Sequence, residues 1–137
     1  MLLLSVVSPV KKITEIKCRQ VTVPTQDGLI TILPSHISLF SLLSNGEVIA
    51  KDENGRDELI VVSGGFVSVA NDNVMLLVDF GVHSDELDEK IIMEAKARAE
   101  KMIEESKDEN ISKSAAADLL HANLQLRFLP KHKKNRV

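Results

Sequence analysis

The chain has 137 residues and a net charge of −3, and 44% of its residues are hydrophobic but only 3% aromatic, with no Trp and no Tyr. This length suits one compact domain, or one small domain with an appendage. A core without large rings must consist of Leu, Ile and Val, and β-branched residues favour strands. The composition excludes an aromatic stacking platform for single-stranded nucleic acid, and the negative charge argues against a general nucleic-acid binder.

Cys18 is the only cysteine, so the chain has no internal disulfide and no cysteine-based metal cluster. Its position within an alternating segment predicts a small buried side chain. The apolar N-terminal residues lack a basic leader and a small-residue cleavage site, so we expect no signal peptide. No run approaches the ~18–20 apolar residues of a membrane span, which predicts a soluble protein that reaches a membrane only through a partner.

The first part of the chain alternates between short apolar segments and turns. Turn signals lie at Ser8-Pro9, residues 24–28, Asn45-Gly46, residues 52–57, Ser63-Gly64-Gly65 and residues 71–73. Strands are predicted at 2–7, 10–17, 19–23, 29–33, 47–51, 58–62, 66–70 and 74–80, with an irregular stretch from Ser35 to Ser44. Many short strands at regular spacing predict an all-β sandwich or barrel.

From Asp85 the hydrophobic period becomes helical, and Ser84 or Asp85 is the expected N-cap. A first stripe contains Leu87, Ile91, Ala95, Ala99 and Met102, and a second contains Ile111, Ala115, Leu119, Ala122, Leu126 and Leu129. The short polar connection at 107–110 predicts an antiparallel helical hairpin, which Pro130 should end. At ~25 cal/mol per Å2 of apolar surface, an alanine-rich seam is only marginally stable. We therefore expect the hairpin to dock on the sandwich or on a partner, and to exchange between them.

These patterns divide the chain into a β-sandwich domain over 1–83, a helical hairpin over 84–130 and a basic tail over 131–137. The segment from Arg127 to Val137 holds five Lys or Arg and no acid. Such a segment suggests an acidic partner surface, and the alternative is a solvated tail that aids solubility.

No catalytic residue and no metal site is predicted. Ser63-Gly64-Gly65 lacks the spacing and the lysine of a phosphate-binding loop. His83, His121 and His132 form no ligand spacing, and no nucleophile motif accompanies His36. His36 follows Pro34 at a strand end, where an interface or structural role is favoured over that of a base. We expect a protein that is not an enzyme and needs no cofactor; the alternatives are a β-sandwich adaptor that assembles another complex and a small hydrolase using His36.

A series of short segments, in order along the chain, carries a resemblance to a known family. The segments are Asp27-Gly28, Ile32-Leu33-Pro34 with His36, Leu39, Leu42 and Gly46, then residues 63–67, Asn73-Val74 and residues 77–79, then residues 87–89, residues 93–96, Ala99-Glu100 and residues 125–127. This series resembles the epsilon subunit of F-type ATP synthase, which is called delta in mitochondria. The resemblance implies an α+β fold, with a ten-stranded antiparallel β-sandwich followed by an α-helical hairpin. It also implies a non-catalytic rotary subunit of the central stalk, which couples proton translocation through the c-ring to ATP synthesis.

The same resemblance implies partners and a location. Ser8, His36 and Ser41 would face the gamma subunit, and the c-ring side would be formed by Gln26, Asp27, Gly28, Leu29, Ile30 and Thr31. The hairpin would extend toward the alpha and beta subunits and restrain ATP hydrolysis. The protein would lie peripherally on the cytoplasmic face of the bacterial inner membrane, or on the stromal side of the plastid thylakoid.

The chain departs from the family pattern in two regions. Leu29 and Thr31 replace an acidic residue and a glycine, and Ser35 and Ser38 replace the usual Gly (or Asn) and Pro. Some bacterial members bind ATP on the hairpin, and a degraded form of that motif retains Leu87, Asp88 and Ala95. Ile91-Ile92 stands where Arg-Ala is expected, and His121 and Gln125 occupy places that are often basic. Without an arginine the phosphates lose a bidentate, permanently charged partner, so we expect no ATP binding.

Overall fold

The chain forms two compact units, Met1–Asp85 and Glu86–Val137. The computed structural model describes residues 1–36 and 38–133. The predicted basic tail over 131–137 therefore lies partly outside the described residues. Among the helices of the described part, none is both long enough and apolar enough to cross a membrane.

The first unit is a β-sandwich-like sheet, as predicted, but it has nine strands within the described residues rather than ten. The strands are β1 (Leu2–Val7), β2 (Lys12–Thr25), β3 (Gly28–Ile32), β4 (Leu39–Leu42), β5 (Gly46–Asp52), β6 (Asp57–Ser63), β7 (Phe66–Ala70), β8 (Asn73–Leu77) and β9 (Phe80–His83). Their order is β4-β7-β8-β1-β2-β5-β6-β9, and β3 pairs with β2. Within the described residues the pairs are antiparallel except β1 with β8, which run parallel.

The 14-residue strand β2 belongs to both layers of the sandwich. Its first half pairs with β1, and its second half pairs with β3 and β5. The register with β5 shifts between Cys18 and Gln20, and such a bulge bends a strand and increases its twist. Strand β9 contacts the first half of β2, where Gly81 lies against the Ile13 side chain.

The core lies between the layers and consists of aliphatic side chains, as the composition predicts. On β1, Leu2, Leu4 and Val6 are buried while the residues between them are half-buried, so the strand presents one face to the core. Cys18 is fully buried, as predicted, and its Sγ lies 3.8 Å from the carbonyl oxygen of Leu2. Burial raises the pKa of the Cys18 thiol.

Three strand predictions in this unit are wrong, each for a local reason. The segments predicted at 10–17 and 19–23 are one strand that begins at Lys12 and ends at Thr25, because the bulge absorbs the three-residue step between the buried Cys18 and Val21. Residues 39–42 form edge strand β4 rather than irregular chain; their apolar residues occupy both faces, so they show no alternation. The segment 74–80 is two strands, β8 and β9, separated by Val78 and Asp79.

The second unit is the predicted helical hairpin. A 3₁₀ turn (Ser84–Glu86) is followed by α1 (Glu89–Glu105) and α2 (Glu109–Lys133), which pack against each other. The connection consists of Ser106, Lys107 and Asp108, and the Asp108 carboxylate accepts a hydrogen bond from the Asn110 amide at 2.8 Å. The backbone of α2 continues three residues beyond Pro130, so the predicted end of this helix is wrong.

The start and the stripe of α1 also differ from the prediction. The N-cap is Asp88, not Ser84 or Asp85, and its Oδ1 accepts from the amides of Lys90 (2.9 Å) and Ile91 (3.3 Å). Ile92 and Ala99 are buried, whereas Ile91 is 61% and Met102 48% exposed. The buried side therefore shares Ala99 with the predicted stripe but includes Ile92 in place of Ile91, so it is rotated by a fraction of a turn.

The second stripe is largely buried. Ala115, Ala122 and Leu129 are buried in α2, as the period predicts, and Ile111 is 42% exposed near the first turn. Leu124 is also buried, although the predicted stripe does not contain it. The buried side of α2 is therefore broader than a single row of residues three or four apart.

We expect Gly65→Ala to destabilise the first unit by more than about 3 kcal/mol. Gly65 has φ +95°, and an added Cβ would overlap the carbonyl oxygen of Leu77. Gly55→Ala is the matched control, because Gly55 has φ +78° with nothing within 4 Å of an added Cβ, and it should cost only about 1 kcal/mol. The free energy of unfolding in urea measures both variants, and equal costs would contradict the overlap.

We expect Asp88→Ala to cost about 1 kcal/mol, because it leaves two amides of the first turn of α1 without their acceptor. Asp88→Asn should cost only a few tenths of a kcal/mol, because its amide oxygen accepts the same bonds. Thermal melting followed by circular dichroism compares the two. An Ala variant as stable as the Asn variant would show that this cap contributes nothing.

Candidate functional site

The turn from Leu33 to His36 is an exposed feature at the end of β3. The His36 amide donates to the Leu33 carbonyl oxygen at 3.1 Å, and Ser35 has φ 66°. Proline in the second position and a positive φ in the third define a type II turn. The Ser35 amide donates to Asp72 Oδ1 at 2.7 Å, which fastens this turn to the one between β7 and β8. His36 is half-buried.

An apolar surface lies on the side of the β4-β7-β8 strands that faces away from the core. Phe40 is 65%, Leu42 50% and Met75 43% exposed. Across β4, β7 and β8, one row of paired residues consists of Phe40, Ser68 and Met75, and the next row on the same face consists of Leu42, Phe66 and Leu77. The side chains of both rows therefore share one face. The rings of Phe40 and Phe66 stack with centroids 5.0 Å apart. We name this surface the outer apolar face; it consists of Phe40, Leu42, Phe66, Met75 and Leu77.

The outer apolar face lies between two of the residues predicted to contact a partner. At one end is the turn that carries His36, since this turn is bonded to Asp72 at the start of β8. At the other end is Ser8, which lines a shallow depression with Phe66, Leu77 and other residues. The Ser8 hydroxyl accepts from the Lys11 amide at 3.3 Å and thereby stabilises a tight turn after β1.

The third residue of that predicted set is oriented differently. Ser41 pairs with the fully buried Val67, so it points to the core side of β4 and is only half-buried because β4 is an edge strand. Its neighbours Phe40 and Leu42 point outward instead. The sequence analysis did not predict the outer apolar face. The available signal was the pair of consecutive apolar residues Leu39 and Phe40 in β4, together with Met75 at an outward position of β8.

The second predicted surface is the turn between β2 and β3. Thr25 Oγ1 donates to the Gly28 carbonyl oxygen at 2.6 Å and accepts from the Asp27 amide at 3.2 Å, and Gly28 has φ 113°. Gln26, Asp27 and Gly28 are exposed here. Further along β3, Leu29 (73% exposed) and Thr31 point outward, whereas Ile30 packs against the core. Of the six predicted residues, only Ile30 faces inward.

The residues of the degraded nucleotide motif have structural roles in the hairpin unit. Leu87 is buried, Asp88 caps α1, and Ala95 is half-buried. Ile91, at the position of the expected arginine, is 61% exposed. Gln125 Nε2 donates to the carbonyl oxygen of His121 at 3.3 Å, within α2. These contacts supply no charged group for a phosphate.

The described part of the chain offers no metal centre, because no three of its His, Cys, Asp and Glu residues come close enough to hold an ion. Lys12 forms an ion pair with Glu15, and Lys51 forms one with Asp57, both on the surface. Exposed pairs of this kind contribute little to stability. The arrangement therefore presents binding surfaces of apolar and turn residues.

Comparison with known proteins gives consistent results along the chain. Residues 1–84 match the model of the family described as ATP synthase, Delta/Epsilon chain, beta-sandwich domain. The ATP synthase epsilon chain of Dichelobacter nodosus is 39% identical over 98 residues, covering 72% of this chain and 68% of the relative. That of Alkalilimnicola ehrlichii is 34% identical over 124 residues, covering 90% of this chain and 89% of the relative.

Solved structures show the same fold at lower identity. A chain of the Euglena gracilis mitochondrial ATP synthase, from a structure of its OSCP, F1 and c-ring, superposes with a TM-score of 0.60 at 20% identity, covering 99% of this chain and 81% of that one. A chain of the Tetrahymena thermophila mitochondrial ATP synthase central stalk and c-ring gives 0.53 at 14% identity, covering 93% and 96%. The chain therefore belongs to the family of ATP synthase epsilon chains, and it is a non-catalytic subunit rather than an enzyme.

Proposed function

We propose that the chain is a rotary central-stalk subunit that couples proton translocation through the c-ring to ATP synthesis by binding the gamma subunit. The observation that carries this proposal is the outer apolar face beside the His36 turn. Contiguous apolar surface of this kind marks an interaction site more often than scattered exposed residues do. Burial of a large apolar side chain such as Phe40 contributes about 1.5–3 kcal/mol to binding.

The gamma subunit is the proposed occupant of the outer apolar face. His36 and Ser8, which the family resemblance assigns to the gamma side, lie at its two ends. The Ser41 side chain points to the core side of β4, so in this proposal Ser41 does not contact gamma through its side chain; it helps to hold β4 on the sheet by its pairing with Val67. Phe40 and Leu42 supply the apolar contact from the same strand.

The β2–β3 turn is the proposed contact with the c-ring. It lies at one end of β3 and the His36 turn at the other, so at ~3.3 Å per residue the five residues of β3 separate them by about 16 Å. The proposed contacts with gamma and with the c-ring therefore involve separate residues. Leu29, at 73% exposure, makes this contact apolar where family members carry an acidic residue.

The hairpin is the proposed contact with the alpha and beta subunits, and through it the chain would restrain ATP hydrolysis. Supporting this, α1 exposes Ile91 and Met102 at 61% and 48%, and these two residues lie on the same side of the helix. Through its stalk partners the chain would lie peripherally on the cytoplasmic face of a bacterial inner membrane, or on the stromal side of a thylakoid.

We expect Phe40→Asp to weaken binding to the gamma subunit at least tenfold, because it places a charge in the centre of the outer apolar face. Leu29→Lys is the matched control: its side chain is similarly exposed, but it lies on the other surface and introduces a charge opposite to the acidic residue of family members, so it should weaken docking on the c-ring and leave gamma binding unchanged. Co-expression with gamma, followed by affinity measurement on the purified pair and on c-ring vesicles, separates the two effects. A wild-type chain that forms no complex with gamma would instead support an adaptor of another assembly.

We expect no sub-millimolar binding of ATP to the isolated chain, because an exposed isoleucine stands in place of the arginine and Asp88 is engaged in capping α1. Isothermal titration with Mg-ATP measures this directly. Ile91→Arg is the informative companion variant, since it restores one bidentate phosphate partner on an exposed position. Sub-millimolar affinity in the wild-type chain would contradict the assignment of the motif as degraded.

A further inference from the structure

The turn from Leu33 to His36 holds a serine in a conformation that serine disfavours. Ser35 has φ 66° in the third position of a type II turn, where glycine or asparagine is usual. A side chain at this φ meets steric strain that glycine does not. The surrounding structure must therefore supply an interaction that favours this turn over the type I turn, in which the same residue has a negative φ.

Asp72 supplies that interaction. Types I and II differ by a flip of the peptide between the two central residues, which here joins Pro34 to Ser35. The Ser35 N–H therefore points in opposite directions in the two turns. Because it donates to Asp72 Oδ1 at 2.7 Å in the type II arrangement, the carboxylate favours that arrangement alone. A hydrogen bond to an ionised acceptor is stronger than one between neutral groups.

Asp72 is itself held in a fixed position on the sheet. Asn71 and Asp72 form the two-residue turn between β7 and β8, with φ 51° and 62°. The Asp72 carbonyl oxygen accepts from the Leu3 amide of β1 at 2.9 Å. The acceptor thus has a defined place at the end of the layer that carries the outer apolar face.

We propose that Asp72 is a positioning residue for the subunit contact: by selecting the type II turn, it sets the orientation of the Pro34–Ser35 peptide that the His36 turn presents to the gamma subunit beside the outer apolar face. This inference rests on the proposed function. When the carboxylate is removed, Ser35 returns to a negative φ and the Pro34–Ser35 peptide flips, so the turn presents its N–H and carbonyl groups to the gamma subunit in the opposite orientation. Glycine in place of Ser35 removes the steric cost and makes the turn independent of Asp72.

Four variants test the proposal on the complete chain. Asp72→Gly keeps the positive φ of the β7–β8 turn but loses the carboxylate. Asn71→Gly is the matched control, because it changes the other residue of the same turn, whose hydrogen bond to Asn73 Nδ2 (3.2 Å) uses the backbone carbonyl. Asp72→Asn keeps an acceptor oxygen. The double variant Ser35→Gly/Asp72→Gly tests for rescue.

We expect Asp72→Gly to lower the affinity for the gamma subunit about tenfold, which corresponds to about 1.4 kcal/mol. Asn71→Gly, Asp72→Asn and the double variant should stay within about threefold of the wild type. The NMR coupling of the Ser35 amide should report a negative φ in Asp72→Gly and a positive φ in the wild type and in Asn71→Gly. Rescue by glycine at Ser35 is an outcome that a merely stabilising role for Asp72 does not produce.

Equal affinities of Asp72→Gly and Asn71→Gly would overturn the proposal, and so would a double variant that binds as weakly as Asp72→Gly. A positive φ at Ser35 in Asp72→Gly would overturn the selection of the turn, whatever the binding result. If the wild-type chain does not bind gamma at all, the proposed function fails and the role of Asp72 in binding fails with it. The Ser35 coupling then still decides whether Asp72 selects the turn.

Discussion

The passage of β2 from one layer of the sandwich to the other is the constraint on which the rest of this structure depends. One strand pairs with β1 in its first half and with β3 and β5 in its second, and the bulge after Cys18 provides the bend between them. The β1 side leads through β8 and β7 to β4, which carries the outer apolar face. The other side begins with β3, whose two ends carry the exposed turns. Both proposed contact surfaces therefore take their positions from β2.

The edge position of β4 and the side-chain hydrogen bonds of the two turns explain how these surfaces can be both exposed and ordered. β4 is a terminal strand of the sheet, so Phe40 and Leu42 are available to a partner while Leu39 packs on the core. The turns on either side of β3 are short and are fixed by the Thr25 hydroxyl, which donates to the Gly28 carbonyl oxygen, and by the Asp72 carboxylate, which accepts from the Ser35 amide. A preorganised turn loses little conformational entropy when it binds, which favours a rigid contact in a rotating assembly.

The hairpin unit shows how a correct pattern can give a rotated surface. The sequence predicted the two helices, their short connection and the burial of Ala99, Ala115 and Ala122, because a period of three or four residues is a direct consequence of helical geometry. It assigned the wrong cap and included the exposed Ile91 and Met102 in the stripe of α1 that it predicted to be buried. Asp88 and not Ser84 provides the acceptor for the first-turn amides, since the chain forms a separate 3₁₀ turn before the helix.

What the sequence by itself determined was the class of fold, the turns, the buried Cys18 and the family, because period, turn chemistry and a series of ordered motifs are local properties. The tertiary structure alone decided which residues share a face. It joined two predicted strands through a bulge, turned Ser41 inward while Phe40 and Leu42 point outward, and brought Asp72 to Ser35 across 37 positions of sequence. Cross-strand register and contacts between distant turns depend on how the layers pair, and no local pattern of residues records that pairing.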